Sequence, residues 1–288
     1  DDRDADDLFY FGLDWVTRQA AKKGINPISA WSMGSLHSAH RYNIDQDYGG
    51  IGGGRRADLV LLNDKYEVQN TWLGGKLVVE DKKITNILEE QFEKKRYKYP
   101  KKAYNTVKIF NNYNLIPKIP NSPVKINVIK TELPGIVTKQ HQIKINKSII
   151  SWSNIMKENN LTHLAVIERY KKTKKVAHGF IKDFNLKSGS VGSSVGHDAH
   201  NIIIAGTNEN DMNIALDEIN RTQGCIVIVD KGKIISKVDL PIAGLLSDKR
   251  AGIIALETKK FKENWKKYKC SIPYMGFNLL PLSVIPEF

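Results

Sequence analysis

The chain has 288 residues, of which 41% are hydrophobic and 26% are charged, and it contains two cysteines. This balance is typical of globular proteins and excludes a disordered tail, a collagen-like chain and a disulfide-stapled miniprotein. Lys and Arg number 44 against 31 Asp and Glu, and the net charge of +13 makes a polyanion a candidate partner. No apolar run approaches the roughly 18 residues that a membrane helix needs, so we expect no membrane partner.

Two helices are predicted at the start of the chain. Apolar residues recur at helical spacing over residues 5–24, and Gly24 is well placed to end that helix. A second helix is predicted over residues 27–42, because Pro27 suits a first helical turn.

Short strands and a basic connector are predicted next. The apolar run at 57–62 follows a glycine-rich turn and predicts a buried strand. Residues 68–73 and 76–79 flank Gly74-Gly75 and predict a hairpin. Residues 86–123 are basic and end in three prolines, so we predict a linker that includes a helix.

A separate unit of α/β or α+β class is predicted from residue 124 onwards. A helix is predicted at about 208–222, with Gly224 beyond its end. Short apolar runs predict strands at 126–129, 164–167, 202–205, 225–229 and 233–235. Because strands and helices do not alternate regularly, the pattern does not favour a doubly wound sheet.

Charge and cysteine spacing bear on partners and on location. The densest basic run, residues 94–102, interleaves aromatic and basic residues as single-strand binders do. It is also typical of a solvated linker, and without a nucleic-acid-binding motif that interpretation is favoured. Cys225 opens an apolar run, so we predict a buried thiol. Cys225 and Cys270 show no CxxC spacing, so neither a metal site nor a disulfide is expected, and a reducing cytoplasm fits best.

The segment 188–201 combines small residues with groups that can transfer protons. Its glycines and serines predict either a mobile loop or a close approach of two backbones. His197, Asp198 and His200 follow, and such groups donate, accept and transfer protons near neutral pH. From these residues alone, a lid over an active site and a flexible connector are equally compatible with the sequence.

Five segments together carry a family pattern. They are Asp1-Asp2-Arg3, Gly50–Val60, Gly179–Val191, Gly196–Met212 and Leu240–Asp248. The last three resemble the carboxy-terminal domain of adenine deaminases, and Gly50–Val60 is similar to the passage from an amidohydrolase barrel into its small β-sandwich. Asp1-Asp2 is similar to the end of the last barrel strand. The combined pattern covers essentially the whole chain and resembles adenine deaminases of Gram-positive bacteria, within the amidohydrolase superfamily.

The resemblance implies a fold with three parts: a metal-dependent (β/α)₈ barrel, a small β-sandwich and an added α/β (α+β) domain. Residues 1–45 are then a remnant of the last β/α unit of the barrel, and residues 46–85 are a segment of the sandwich. Residues 86–123 are the basic linker, and residues 124–288 are the adenine deaminase carboxy-terminal domain. Because a complete barrel needs about 250 residues, we expect a carboxy-terminal fragment.

The resemblance also implies a hydrolase that acts on the C–N bond of a cyclic amidine. It would convert adenine to hypoxanthine and ammonia, in purine salvage and adenine catabolism, with water activated by divalent metal, manganese or iron, binuclear in the whole enzyme. Asp1, with Asp2 as second choice, is implied as metal ligand and catalytic carboxylate. The other metal ligands are absent from this chain, so we expect it to be inactive alone. His197, Asp198 and His200 are the candidate substrate contacts.

Two other classes of function are kept as alternatives. The chain could be a non-catalytic purine-binding or regulatory module, and a nucleic-acid-binding protein is a less favoured reading. The sequence leaves a homo-oligomer open.

Overall fold

The computed structural model describes residues 3–94, 97–110, 112–121, 123–131, 137–146, 151–171 and 173–283. It divides the chain into two compact units. The smaller unit runs from Asp7 to Lys98, and the larger unit combines the segment up to Asp6 with the chain from Tyr99 onwards. Among the helices described, none is both long and apolar enough to cross a membrane.

Four short helices open the chain where the sequence predicts two. They are α1 (Ala5–Tyr10), α2 (Leu13–Lys22), α3 (Pro27–Met33) and α4 (Leu36–Arg41). The prediction of two continuous helices is wrong, because each is interrupted by a glycine, Gly12 or Gly34, and a separate helix follows the interruption. Glycine is a poor helix former. The predicted helix start at Pro27 is confirmed, and the Asn26 side chain caps it by accepting a hydrogen bond of 3.0 Å from the Ile28 N–H.

A four-stranded antiparallel sheet follows within the smaller unit. Its strands are β1 (Leu59–Leu62), β2 (Val68–Leu73), β3 (Lys76–Glu80) and β4 (Lys83–Ile84), in that order, and helix α5 (Asn86–Lys94) follows them. The predicted hairpin is confirmed, with both Gly74 and Gly75 at positive φ. The predicted burial of the first strand is wrong, because Val60 and Leu61 are 46% and 52% exposed.

The larger unit is a mixed α/β unit built around one eight-stranded sheet. Its strand order is β12-β11-β9-β10-β7-β8-β5-β6, and β5 with β8 is the parallel pair among otherwise antiparallel described neighbours. The strands are β5 (Val124–Thr131), β6 (Thr138–Ile145), β7 (Leu161–Ile167), β8 (Val176–Lys182), β9 (Ser190–Gly196), β10 (Asn201–Gly206), β11 (Cys225–Asp230) and β12 (Lys233–Asp239). The helices are α6 (Trp152–Asn159), α7 (Glu209–Thr222), α8 (Ala251–Lys267) and α9 (Tyr274–Asn278). All five strands predicted from apolar runs are present.

Helices cover both faces of this sheet. Buried residues of α7 pack against β9, β10 and β11 on one face, and buried residues of α8 and α9 pack on the other. Val107 and Leu115 add to the α7 side of the core, so the part of residues 86–123 that follows Tyr99 packs within the larger unit. Cys225 is buried and unpaired, as predicted, and burial raises its pKa to about 12.

His163 is a histidine inside this core. It lies on β7, is 1% exposed, and neither ring nitrogen has a hydrogen-bond partner among the described residues. Its ring stacks on His178 at 5.5 Å, and burial, with a smaller contribution from His178, lowers its pKa from 6.5 to about 3. The folded protein therefore holds a neutral imidazole at a pH where the unfolded chain binds a proton.

We predict that His163 makes the larger unit sensitive to acid. Below about pH 6.5 the unfolded chain is protonated at His163 and the folded chain is not, so stability is complete above pH 6.5 and falls as the pH falls towards 3. The slope is about 1.4 kcal/mol per pH unit, hence about 2 kcal/mol between pH 6.5 and pH 5. Urea unfolding at pH 7 and pH 5 should show this loss in the wild type and a smaller one in His163→Leu. The control is His141→Leu, at an exposed position of β6. If His163→Leu and His141→Leu lost the same stability between pH 7 and pH 5, the prediction would be contradicted.

Candidate functional site

The segment predicted as a mobile loop is a central strand of the large sheet. Strand β9 pairs with β10 on one side and with β11 on the other, and Ser193 and Ser194 are fully buried. A Cβ on Gly192 would lie only 3.2–3.3 Å from side-chain atoms of Ile219 and Ala215 on α7. The interpretation of this segment as a mobile loop, whether lid or connector, is therefore wrong for residues 190–196, and the alternative of a close backbone approach is confirmed. The small residues let α7 pack tightly on the sheet.

The turn between β9 and β10 brings the three predicted site residues together. His197 Nδ1 lies 3.3 Å from Asp198 Oδ1, and the His197 and His200 rings are 5.3 Å apart. The His197 side chain is 18% exposed and that of Asp198 is 65% exposed. One polar turn, held by two strands of the sheet, thus presents all three groups. Asp1 and Asp2, the predicted metal ligands, lie outside the described residues.

Arg169 and Tyr170 hold this turn, and the sequence analysis did not single them out. Arg169 Nε donates to the His200 carbonyl oxygen at 2.5 Å, and the Tyr170 hydroxyl donates to the Ala199 carbonyl oxygen at 2.8 Å. The Arg169 guanidinium lies 5.0 Å from the centre of the Tyr170 ring, and Arg169 as a residue is 1% exposed. The sequence places Arg169 two residues after the end of β7, which by itself does not indicate that its side chain is buried.

Buried polar atoms without a hydrogen-bond partner are concentrated around this turn. Within the described part of the chain they include Arg169 Nη1, His200 Nδ1, Asn201 Oδ1 and Asn278 Oδ1. Asn278 is tied to the turn by a backbone hydrogen bond, because the His197 N–H donates to the Asn278 carbonyl oxygen at 2.9 Å. Each such atom costs about 1–3 kcal/mol, and several at one place indicate a site organised for binding rather than for stability.

The electrostatics of the turn favour a neutral imidazole at His200. Burial lowers the pKa of His200. The charges of His197 and Arg169 lower this pKa further, and the charge of Asp198 raises it. Beside this neutral ring lie a carboxylate and a guanidinium, so the turn offers donors and acceptors in one place. Such a set suits a planar ligand that carries both kinds of group along its edge.

The start of the chain shows how its carboxylates are used. Lys262 Nζ on α8 lies 3.0 Å from Asp4 and 3.1 Å from Asp6. One ammonium group is therefore shared by these two carboxylates. Among the described residues the carboxylate of Asp7 lies beside them, and neither a histidine nor a cysteine joins the group. Catalytic zinc sites include at least one histidine among their protein ligands, and this group of carboxylates has none, so the described residues do not fit the binuclear centre that the resemblance implies.

A separate cleft of about 800 Å³ lies elsewhere on the larger unit. Trp152, Met156 and Pro117 form part of its apolar wall, and the Trp152 indole is fixed by donating to the Pro117 carbonyl oxygen at 2.8 Å. His178 and Asn208 add polar groups to its lining. Its walls are mainly apolar with a few polar groups, which is the usual composition of a small-molecule site.

Comparison with known proteins decides the family. A family model described as the adenine deaminase C-terminal domain matches residues 135–288, which is more than half of the chain. The chain belongs to the adenine deaminase family. The region that matches the adenine deaminase model contains Arg169 and the whole turn from His197 to His200.

Individual adenine deaminases align over the full chain. It is 54% identical over 288 residues to the adenine deaminase of Chelativorans sp. (strain BNC1) and to adenine deaminase 2 of Bradyrhizobium sp. (strain ORS 278). It is 30% identical over 285 residues, 96% of the chain, to an adenine deaminase of Clostridium botulinum (strain Langeland). It spans about half the length of these relatives, 48%, 48% and 46% respectively.

Proposed function

We propose that this chain is the carboxy-terminal half of an adenine deaminase and that the turn His197–His200 contacts adenine. The main support for this proposal is the group of buried polar atoms without a hydrogen-bond partner around that turn, within the region that matches the family model. The reaction consumes water and releases ammonia and hypoxanthine. We propose cytoplasmic purine salvage and adenine catabolism as its setting.

The groups of the turn match the edge of a neutral purine. Adenine presents ring nitrogens that accept hydrogen bonds and an amino group that donates them. The neutral His200 ring can donate to a ring nitrogen, and the Asp198 carboxylate can accept from an N–H of the base. His197, 3.3 Å from Asp198, orients that carboxylate. The turn therefore binds and orients the base, which is a role that this chain can supply by itself.

The remaining parts of the proposal concern the rest of the enzyme. We propose residues 1–45 as the end of a (β/α)₈ barrel, residues 46–85 as sandwich and residues 124–288 as the family domain. Residues 86–123 are proposed as the linker, whose part from Tyr99 onwards packs within the larger unit. The exposed apolar side chains of β1 support the second assignment, because exposed apolar strand faces are usually covered by a partner sheet. Divalent metal, manganese or iron, supplies activated water when bound, and we propose Asp1, or Asp2, as its ligand from this chain.

We predict that the 288-residue chain alone does not deaminate adenine. The reason is that its described residues do not offer the ligand set of a catalytic metal centre. Ammonia release from adenine should be at background with added Mn²⁺ or Fe²⁺. The same chain joined to the remaining half of the Chelativorans adenine deaminase should release ammonia, with that half alone as control. Ammonia release by the isolated chain above the metal-only blank would overturn this prediction.

A purine-binding module is the second candidate, and the 800 Å³ cleft favours it. In that case adenine should bind the isolated chain at the cleft, and His178→Ala should weaken binding while His197→Ala should not. Calorimetric titration of adenine into both variants separates the two functions. If adenine contacts the turn, His197→Ala should weaken binding and His178→Ala should not.

A further inference from the structure

We propose that Arg169 is a positioning residue that fixes the backbone of the His197–His200 turn and so sets where its side chains meet the substrate. This inference rests on the proposed function for its catalytic consequence, but its structural content concerns this chain alone. Arg169 itself is buried behind the turn and is assigned no contact with the base.

The contacts of Arg169 are directed at the backbone of the turn. Its Nε donates to the His200 carbonyl oxygen, and its Nη2 lies 3.4 Å from the Tyr170 hydroxyl, which donates to the Ala199 carbonyl oxygen. Two successive carbonyl groups are thus held by two neighbouring residues that follow β7. A planar guanidinium suits this task because its donors are fixed relative to one another.

The far side of the guanidinium rests on a second fixed point. A Cβ on Gly244 would collide with Arg169 Nη1, so the two groups are packed directly together. The Gly244 carbonyl oxygen accepts a hydrogen bond of 2.6 Å from Ser194 Oγ on β9. Strand β9, Gly244, Arg169 and His200 therefore form a continuous chain of contacts around the turn.

The burial of Arg169 argues against a purely stabilising role. Its side chain is 1% exposed, and no carboxylate pairs with it in the described part of the chain. Burying a charge without an opposite charge is costly, and an apolar residue of similar size would often stabilise such a position better. The cost is understandable if the carbonyl oxygens of the turn must be held in one arrangement.

The first test uses the 288-residue chain. In Arg169→Met we expect amide hydrogen exchange over residues 197–201 to accelerate about tenfold or more, the loss expected for a hydrogen bond to a charged group. Exchange at Ile203 and Ile204 of β10 should change little. The imidazole of His200, followed by NMR, should titrate at higher pH, because the Arg169 charge that opposes its protonation is gone. Arg221→Met, an exposed arginine on α7, is the matched control. Unchanged exchange over 197–201 would overturn the inference.

The second test uses this chain joined to the remaining half of the Chelativorans enzyme. Arg169→Met should lower kcat/KM for adenine at least tenfold, and Tyr170→Phe, which removes one hydroxyl on an exposed ring and leaves the fold intact, should lower it less. Arg169→Lys, which keeps the charge without the planar fork, should recover only part of the loss. If the joined wild type is inactive, the proposed function fails while the exchange result stands. If it is active and both Arg169→Met and Tyr170→Phe match it, the positioning role is overturned.

Discussion

Replacing His197 or Asp198 with Ala in an active enzyme that contains this chain should lower the turnover of adenine by about 100-fold or more, the usual contribution of a positioned proton-transfer or hydrogen-bonding group. The fold should survive, because the Asp198 side chain is 65% exposed and the strands on either side of the turn pair through their backbones. Steady-state kinetics of ammonia release, with thermal unfolding alongside, checks both statements.

The contrast with a histidine outside the site makes this test specific. His141 lies on β6, the strand at the edge of the sheet far in order from β9 and β10, and its side chain is exposed. His141→Ala should therefore retain wild-type turnover. Wild-type turnover in both His197→Ala and Asp198→Ala would remove the turn from the active site and leave it as a connection between two strands.

Apolar runs and end signals made much of the larger unit predictable. Strands β7, β10 and β11 each contain a continuous run of apolar residues, and each run is largely buried as that pattern indicates. The start and end of α7 could be placed because Asn is a common N-cap residue and Gly commonly follows a helix end. In the structure Asn208 accepts a hydrogen bond of 2.9 Å from the Asp211 N–H, and Gly224 follows the helix with a positive φ. In these elements local preference and tertiary environment agree.

Strand β9 could not be predicted because its burial depends on its neighbours. Its residues are Ser, Val and Gly, which carry little apolar surface and are common in loops. The approach of α7 to Gly192 and of Asn201 to Gly196 explains why larger side chains are absent at these two positions. Helix α8 was missed for a related reason, since its buried Phe261 and Trp265 stand among many charged residues.

The candidate site was predictable only in part. The His-Asp-x-His pattern and the family resemblance pointed to His197, Asp198 and His200, which the structure brings into one turn. Arg169 and Asn278 are distant in sequence, and their place beside the turn follows from the pairing of β7 with β10 and from the position of α9. No sequence pattern reports that a charged side chain is buried by such contacts.

Gly224→Ala should strongly destabilise the larger unit. Gly224 has φ of +130°, a conformation that L side chains rarely adopt, and it joins the end of α7 to β11. An added Cβ would collide with Gly244 Cα and would lie 2.6 Å from the Leu240 carbonyl oxygen. Both obstacles are backbone atoms, so a side-chain rotation cannot relieve them. Backbone strain and overpacking together should lower the free energy of unfolding by about 2–5 kcal/mol.

The matched control for this change is Gly179→Ala on β8. At Gly179 an added Cβ meets only Ile129 Cδ1, at 3.9 Å, and no positive φ opposes it, so we expect a change within about 0.5 kcal/mol or a small gain. Urea unfolding followed by tryptophan fluorescence compares the two variants, and the soluble yield serves if Gly224→Ala does not fold. Because Gly224 packs on Gly244, which in turn packs on Arg169, a folded Gly224→Ala should also show faster amide exchange over residues 197–201. Equal stability in the two variants would mean that the end of α7 does not pack against Gly244 as described, and the support of Arg169 from that side would fall with it.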